Sequence, residues 1–420
     1  MASSRYLHSV RLDVRKCTGC TTCLKRCPTE AIRIVDGHAR IIESRCIDCG
    51  ECIRLCETNA KKAVVGRLDD IGHFRYKIAL PDPSLYGQFD NLDKVDYILD
   101  GLLKIGFDDV FEISKAAELV SAYTGQYLKR DDIELPVISS ACPAVIRLIA
   151  LRYPSLSDNV SHLLPPMEVA AILAKQQAKE RYPKYADDEI GVCLISPCPA
   201  KASFFKNGFG DYKSKIDVVV SISDVYFSLI GKMSREETAR ETESGVSGIG
   251  WATSGGQAKA LWQANALYSD ECLVVDGIEN VINVLDQIED GNISHVKFIE
   301  LNACAAGCVG GVLTVQNPYI AKVRLQLLRR YLPVSKNHPA PEEQEQIPEL
   351  YLFDELPIYD PISLLSHNMA ESMRMMTEIQ KVHDSLPGMD CGACGAPNCR
   401  ALAEDVVRGK ASVQDCRILN

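Results

Sequence analysis

The chain has 420 residues, 46% hydrophobic and 24% charged, enough to bury at least one large core and to form two to four domains. A formal net charge of −10, with no basic arm or stripe, excludes a nucleic-acid partner that would be gripped by its phosphates. No apolar run reaches membrane-span length and the opening MASSRYLHSVRLDVRK has no signal-like apolar block, so neither a membrane nor a secretory leader is expected.

Residues 1 to about 75 carry one pattern twice, CTGCTTCLKRCP and CIDCGECIRLC, each CxxCxxCxxxC. Eighteen cysteines, eight of them spent in these two runs, suit thiolates that share a metal rather than disulfides, so a reducing, cytoplasmic setting is expected. Thiolates at i, i+3 and i+6 wrap one face of an iron–sulfur cubane, and the fourth points away to complete the other cluster. Cys17, Cys20 and Cys23 with Cys56 would hold one 4Fe–4S cluster; Cys46, Cys49 and Cys52 with Cys27 would hold the second. The region resembles the bacterial two-cluster ferredoxin, an α+β fold, although Glu57 stands where that family has proline. Two zinc sites are the competing reading, disfavoured because zinc quartets have wider central gaps.

From 76 to about 335, β-branched runs alternate with amphipathic stretches. Candidate strands are FRYKIAL, LPVISSA, IGVCLISP, DVVVSI, ECLVVDG and HVKFIELNA; candidate helices include NLDKVDYILDGLLKIG, MEVAAILAKQQAKE and GGQAKALWQANAL. This alternation predicts an α/β core with a doubly wound, mainly parallel sheet. Three strands run into cysteines, Cys142, Cys198 and Cys304, at the ends where such sheets bind ligands. Cys193 and Cys272 sit within apolar strands and read as core thiols.

Residues 336–360 read as a polar, Pro- and Glu-rich linker, and 361–420 as a small helical domain. Its methionine-rich helix is expected to turn the Met stripe inward, as gap-filling packing. Cys391, Cys394, Cys399 and Cys416 follow, with glycines that let the backbone wrap a cubane closely. They resemble the single-cluster domain of electron-transfer complex subunits and corrinoid iron–sulfur proteins; zinc remains open here.

SSACPAVIRLIALRYP, SPCPAK and ELNACAAGCVGG resemble, in order and spacing, the three signature loops of FeFe-hydrogenases, and GLLKIGFDDVFE and GWATSGGQAKALWQ look like further segments of that family. The resemblance implies an H-cluster, a cubane on Cys142, Cys198, Cys304 and Cys308, with Cys308 bridging to a two-iron subsite. That subsite carries carbonyl, cyanide and dithiolate ligands and is made by dedicated maturases. Lys201 would donate to a cyanide, a role a compact ammonium suits. With three accessory 4Fe–4S clusters, the implied partners are H2, protons, and a ferredoxin-like electron carrier or a signalling protein.

The same loops depart from a working member. Ala141 stands where the family has a second cysteine that passes protons to the two-iron subsite, and a methyl group has no proton to pass. Tyr123 and Thr124 fall where paired acids are usual, although Ser161 keeps the path's serine. Ser196 and Asn302 replace methionines, Val145 a tryptophan and Met167 a glutamine, while VLTV follows CVGG in place of glycine–glutamine–proline. Alanine in the first loop resembles the sensory branch of the family, implying a slow hydrogenase that reports hydrogen to a separate partner. Two alternatives stand beside it. One is ordinary ferredoxin-coupled turnover with another proton carrier, His162 being the nearest candidate; the other is a non-catalytic iron–sulfur assembly scaffold.

Overall fold

The computed structural model describes residues 8–208, 212–233, 240–344, 346–356, 361–362 and 364–419. Two compact units result, 1–64 with 147–154 and 358–420, and 65–146 with 155–357. The first seven residues of the segment read for a leader, and parts of the 336–360 linker, lie outside the described residues.

In the first unit, β1 (Val10–Leu12) pairs antiparallel with β4 (Lys61–Ala63), and β2 (Ile32–Val35) with β3 (His38–Ile41). Asp36 and Gly37 close the β2–β3 hairpin with φ of 51° and 75°, the two-residue turn whose twist matches that of the strands. The repeat seen in the sequence is a repeat of backbone. Each cysteine run follows a single 3₁₀ turn, Val14–Lys16 or Glu43–Arg45, and ends in a short helix, Thr22–Lys25 or Glu51–Arg54. Cys17 and Cys46 each donate their N–H back to that turn, at 3.2 Å to the carbonyls of Val14 and Glu43.

Helices Met369–Asp384 and Cys399–Val407 pack together over Ile379, Leu386, Leu402 and Ala403. The expected inward Met stripe is not found: Met369, Met373 and Met376 are 76%, 65% and 57% exposed. Ile379 and Val382 make the apolar contacts instead, because the helix turns that face to its neighbour.

The second unit holds β5 (Tyr76–Pro81), β6 (Asp109–Val110), β7 (Val137–Ile138), β8 (Ile190–Ser196), β9 (Val218–Ser221), β10 (Cys272–Asp276) and β11 (Phe298–Asn302). All six predicted strands form, and every pairing is parallel. They do not make one sheet. The order is β6-β5-β8-β9 in one and β10-β11-β7 in another. β7 has only two residues between Pro136, which has no N–H for a ladder, and the turn that leads to Cys142; among the described strands it pairs with β11, and the Ile138 carbonyl also accepts from the Ser161 N–H at 2.8 Å. All seven residues of β8 are buried, as expected for a parallel strand covered on both faces. Helix Pro166–Arg181 packs on β5 and β8 and also against helix Ile113–Tyr127.

Candidate functional site

Three strand ends build the site. β7 leads through Ser139-Ser140-Ala141 to Cys142, after which helix Pro143–Arg152 begins. β8 leads to Cys198, whose extended backbone caps helix Pro199–Asn207, with Pro199 at the first helical position where a missing N–H costs nothing. β11 leads to Cys304 and then into a tight reversal that returns Cys308. Glycine is required in that reversal. A Cβ on Gly307, at φ +88°, would sit 2.4 Å from the Ser254 nitrogen, and one on Gly311 would sit 2.2 Å from the Pro197 carbonyl oxygen. Ser254 N–H to Ala306 O (3.0 Å) and Leu313 N–H to Pro197 O (2.9 Å) pin the loop on both sides.

Cys142, Cys198, Cys304 and Cys308 line one cavity, together with Ala141, Met167, Lys201, Glu300 and Asn302. Burial pushes the Cys198 thiol up to about 11 and the Cys308 thiol well above its ordinary value, with Lys201 opposing both. A cavity that makes free thiols reluctant to ionise, around four soft donors, suits a cationic iron–sulfur core that stabilises thiolate. The glycines of the reversal let its backbone pack directly on Thr253, Ser254 and Pro197 and so hold Cys304 and Cys308 on the cavity wall.

Lys201 enters this cavity with a partner the sequence did not suggest. Its Nζ lies 2.5 Å from Oδ2 of Asp82, just beyond β5. Oδ1 of Asp82 accepts from the Ser84 N–H at 3.0 Å and the Ser84 hydroxyl at 2.5 Å. Burial works against the lysine's charge, but Asp82, Cys308 and Cys198 outweigh it and hold the ammonium above its ordinary range.

The family model for the iron-only hydrogenase large subunit, C-terminal domain, matches residues 77–312. The chain belongs to the FeFe-hydrogenase family. A 4Fe–4S dicluster domain matches residues 9–57 and an Fe–S cluster domain residues 386–418. The periplasmic [Fe] hydrogenase large subunit of Nitratidesulfovibrio vulgaris is 28% identical over 366 residues, covering 73% of this chain and 86% of that protein. The NADP-reducing hydrogenase subunit HndD of Solidesulfovibrio fructosivorans is 24% identical over 421 residues, covering 84% of this chain and 65% of its own length. An acid-to-amide variant of the FeFe-hydrogenase of Chlamydomonas reinhardtii shares the fold, with TM-score 0.52 at 16% identity over 70% of this chain and 97% of that one. Hydrogenase chemistry with iron–sulfur cofactors, an H-cluster among them, comes with this membership. Among the described residues no helix is long and apolar enough to cross a membrane.

Around position 141 this hydrogenase carries a polar chain that does not ionise. The Ala141 N–H donates to Ser139 Oγ at 3.3 Å; Ser139 Oγ donates to Gln257 Oε1 at 2.5 Å; Gln257 Nε2 donates to Thr124 Oγ1 at 3.1 Å. Thr124 thus faces inward, whereas the Tyr123 hydroxyl goes to Glu343 Oε2 at 2.7 Å. Two carboxyls do line the cavity, Asp82 and Glu300. Burial raises the Glu300 carboxyl, against the N–H groups of Ala258 and Gly255 and the Asn302 amide that hold it. Sequence reading passed over both acids; the available signal was a lone acid in an apolar strand context, as in IALPDP and FIELN.

The remaining candidates scatter. Ser196 is buried and bonds the Cys198 carbonyl at 2.9 Å, off the cavity wall. Val145 is a core residue, and Ser161 accepts from the Leu163 N–H. His162 Nδ1 lies 3.2 Å from the Phe353 carbonyl and does not line the cavity. Cys193 is fully buried on β8, while Cys272 is only half-buried on β10.

The other twelve cysteines form three further groups. Cys27, Cys46, Cys49 and Cys52 line one small cavity, and burial drives the Cys52 thiol up to about 12. Cys17, Cys20 and Cys56 are close enough to act electrostatically on Cys23. The repeat holds at the sulfurs as well: the Ala31 and Ala60 N–H groups donate at 3.2 Å to the Cys27 and Cys56 sulfurs. Such bonds favour thiolate and raise a cluster's potential. Cys391, Cys394, Cys399 and Cys416 line a small pocket of their own.

Proposed function

We propose that the chain runs 2H⁺ + 2e⁻ ⇌ H₂ at low turnover and uses that chemistry to report hydrogen or redox state to a separate signalling protein. The observation that carries the reading is the wall around Ala141, a methyl group backed by Ser139, Gln257 and Thr124, none of which exchanges protons readily at neutral pH.

In this reading Cys142, Cys198, Cys304 and Cys308 would hold the H-cluster, whose two-iron subsite maturases install. When bound, that subsite supplies the metal at which the H–H bond is made or broken. Lys201 would present its ammonium to a cyanide of that group, and Asp82 keeps the ammonium charged and aimed. Asn302 puts a polar group on the cavity wall where a thioether is usual, while Ser196, off that wall, spends its hydroxyl on the Cys198 carbonyl and so acts on the backbone of that cysteine. Cys17, Cys20, Cys23 and Cys56; Cys46, Cys49, Cys52 and Cys27; and Cys391, Cys394, Cys399 and Cys416 hold three accessory 4Fe–4S clusters that carry electrons. The functional parts are a two-cluster domain at 1–75, the hydrogenase domain at 76–335, a linker at 336–360 and a single-cluster domain at 361–420, working in the cytoplasm.

Infrared spectra and hydrogen uptake of the matured protein test this together. Carbonyl and cyanide bands with slow uptake are expected. Absence of those bands leaves only an assembly scaffold, and rapid uptake removes the sensor. One observation favours the second reading, ordinary ferredoxin-coupled turnover: Asp82 and Glu300 leave ionisable oxygens on the cavity wall although position 141 has none.

A further inference from the structure

The loop that carries Cys391 and Cys394 lies directly on the ferredoxin-like segment between Cys23 and Cys27. A Cβ on Gly392, at φ +80°, would be 3.0 Å from Lys25 Cε and 3.4 Å from Leu24 Cδ2. Lys25 Nζ donates to the carbonyls of Asp390 and Pro397, the latter at 2.7 Å. The Ile34 N–H on β2 donates to the Gly395 carbonyl at 2.9 Å, and a Cβ on Gly395 would strike the Ile34 carbonyl oxygen at 2.2 Å. Asn398 Nδ2 donates to Glu30 Oε1 at 2.7 Å.

Two ion pairs lock this approach. Arg33 Nε reaches Asp405 Oδ2 at 2.5 Å and Nη2 reaches Oδ1 at 3.4 Å; the side chains are 9% and 13% exposed. Arg45 Nη2 reaches Glu404 Oε1 at 2.5 Å, with exposures of 12% and 15%. Asp405 and Glu404 lie on the helix that begins at Cys399, and Arg45 immediately precedes Cys46. The forked Arg33–Asp405 pair fixes orientation as well as proximity, and Arg45 adds a single contact to a Glu404 oxygen that Arg408 shares at 2.9 Å. At Gly395 the two layers meet backbone to backbone, with no side chain between them.

We propose that the C-terminal module is a fixed station of the electron chain, with its quartet passing single electrons to and from the ferredoxin-like pair through the Cys23–Cys27 segment. This rests on the reading that these quartets hold 4Fe–4S clusters. The transfer is one electron: the Cys391–Cys416 group is oxidised by one unit as the ferredoxin-like pair is reduced by one, and no bond or proton moves. A low-potential one-electron carrier of the ferredoxin class is the reductant, for which dithionite substitutes in vitro.

Low-temperature electron paramagnetic resonance of the full-length, cluster-loaded protein under graded dithionite tests it. The expected result is a third reduced-cluster signal that is split and fast-relaxing through its neighbours. A third signal that stays narrow and slow-relaxing in the native protein overturns the proposal, with no variant needed. Reversing the locks with Glu404→Arg and Asp405→Arg should abolish the splitting, and adding Arg33→Glu and Arg45→Glu should restore it. Splitting that survives the reversal also overturns it. Metal analysis separates the two levels: zinc in place of four irons removes the cluster reading itself, whereas full iron with no coupling removes only the relay.

Discussion

Nζ of Lys201 stands 2.5 Å from Oδ2 of Asp82, with the two side chains only 10% and 2% exposed. Charges sealed to this degree persist only as a pair with their remaining hydrogen bonds met. Ser84 occupies the other oxygen of Asp82, so the carboxylate has one free edge and the lysine takes it. The acid therefore sets where the cavity's ammonium points before any cofactor arrives.

Asp82→Asn keeps the shape of that partner and removes its charge. Breaking one side of a buried ion pair costs about 3–5 kcal/mol. The chain's two tryptophans, Trp251 and Trp262, both belong to the unit that contains residues 155–357, so tryptophan fluorescence follows that unit alone. An unfolding free energy lowered by that amount, read as a lower urea midpoint at unchanged slope, is the expected outcome. An unchanged midpoint would mean that Lys201 rests on the cavity sulfurs instead.

Gly307→Ala attacks the loop between Cys304 and Cys308. The backbone there has φ 88° and ψ −154°, a region essentially reserved for glycine, and a methyl group meets Ser254 and Thr253. Strain of about 1–3 kcal/mol for the backbone alone should displace one or both sulfurs. Iron analysis of the reconstituted protein should show the loss of one cubane, about four irons, with the ferredoxin-like signals intact. Full iron content would show that the cavity does not depend on this reversal.

How much of this was readable beforehand follows from how local the signal is. The CxxCxxCxxxC repeats prescribe their own turns, so the repeat of one backbone unit across the two runs could be read from spacing. The six strand runs were equally legible because buried parallel strands are continuous apolar runs. The split into two sheets was not, since it depends on which neighbour β7 finds. Asp82 was invisible for the same reason: an acid after a proline reads as a turn residue until β5 and β8 place it beside Lys201. The methionines of helix Met369–Asp384 misled because a Met stripe has the same spacing whether it faces inward or out.

Ala141→Cys restores a transferable proton at the cavity wall. A positioned acid or base contributes roughly 10²–10⁴-fold to rate. An increase in hydrogen uptake or evolution within that range is expected from the matured variant, with its infrared bands retained. The polar chain behind position 141 still lacks an acid, so the gain should fall toward the lower end. No gain at all would place the native proton route elsewhere on the wall, with Asp82 or Glu300 the available carboxyls.

Glu300 offers a separate reading of that wall through pH. Burial raises its carboxyl, so the folded chain holds this proton more tightly than the unfolded chain does. The group's contribution to stability is therefore greatest below the unfolded value of about 4.3 and declines as pH climbs through the folded value. Glu300→Gln cannot ionise, and its NH₂ must face an N–H of Gly255 or Ala258 that now bonds an oxygen, lowering stability by about 1–3 kcal/mol. Tryptophan-detected urea midpoints of the unmatured protein between pH 5 and 8 should show the wild type losing ground toward a flatter variant. A constant gap across that range would mean that Glu300 ionises as readily folded as unfolded, and so cannot hold a proton at the cavity near neutral pH.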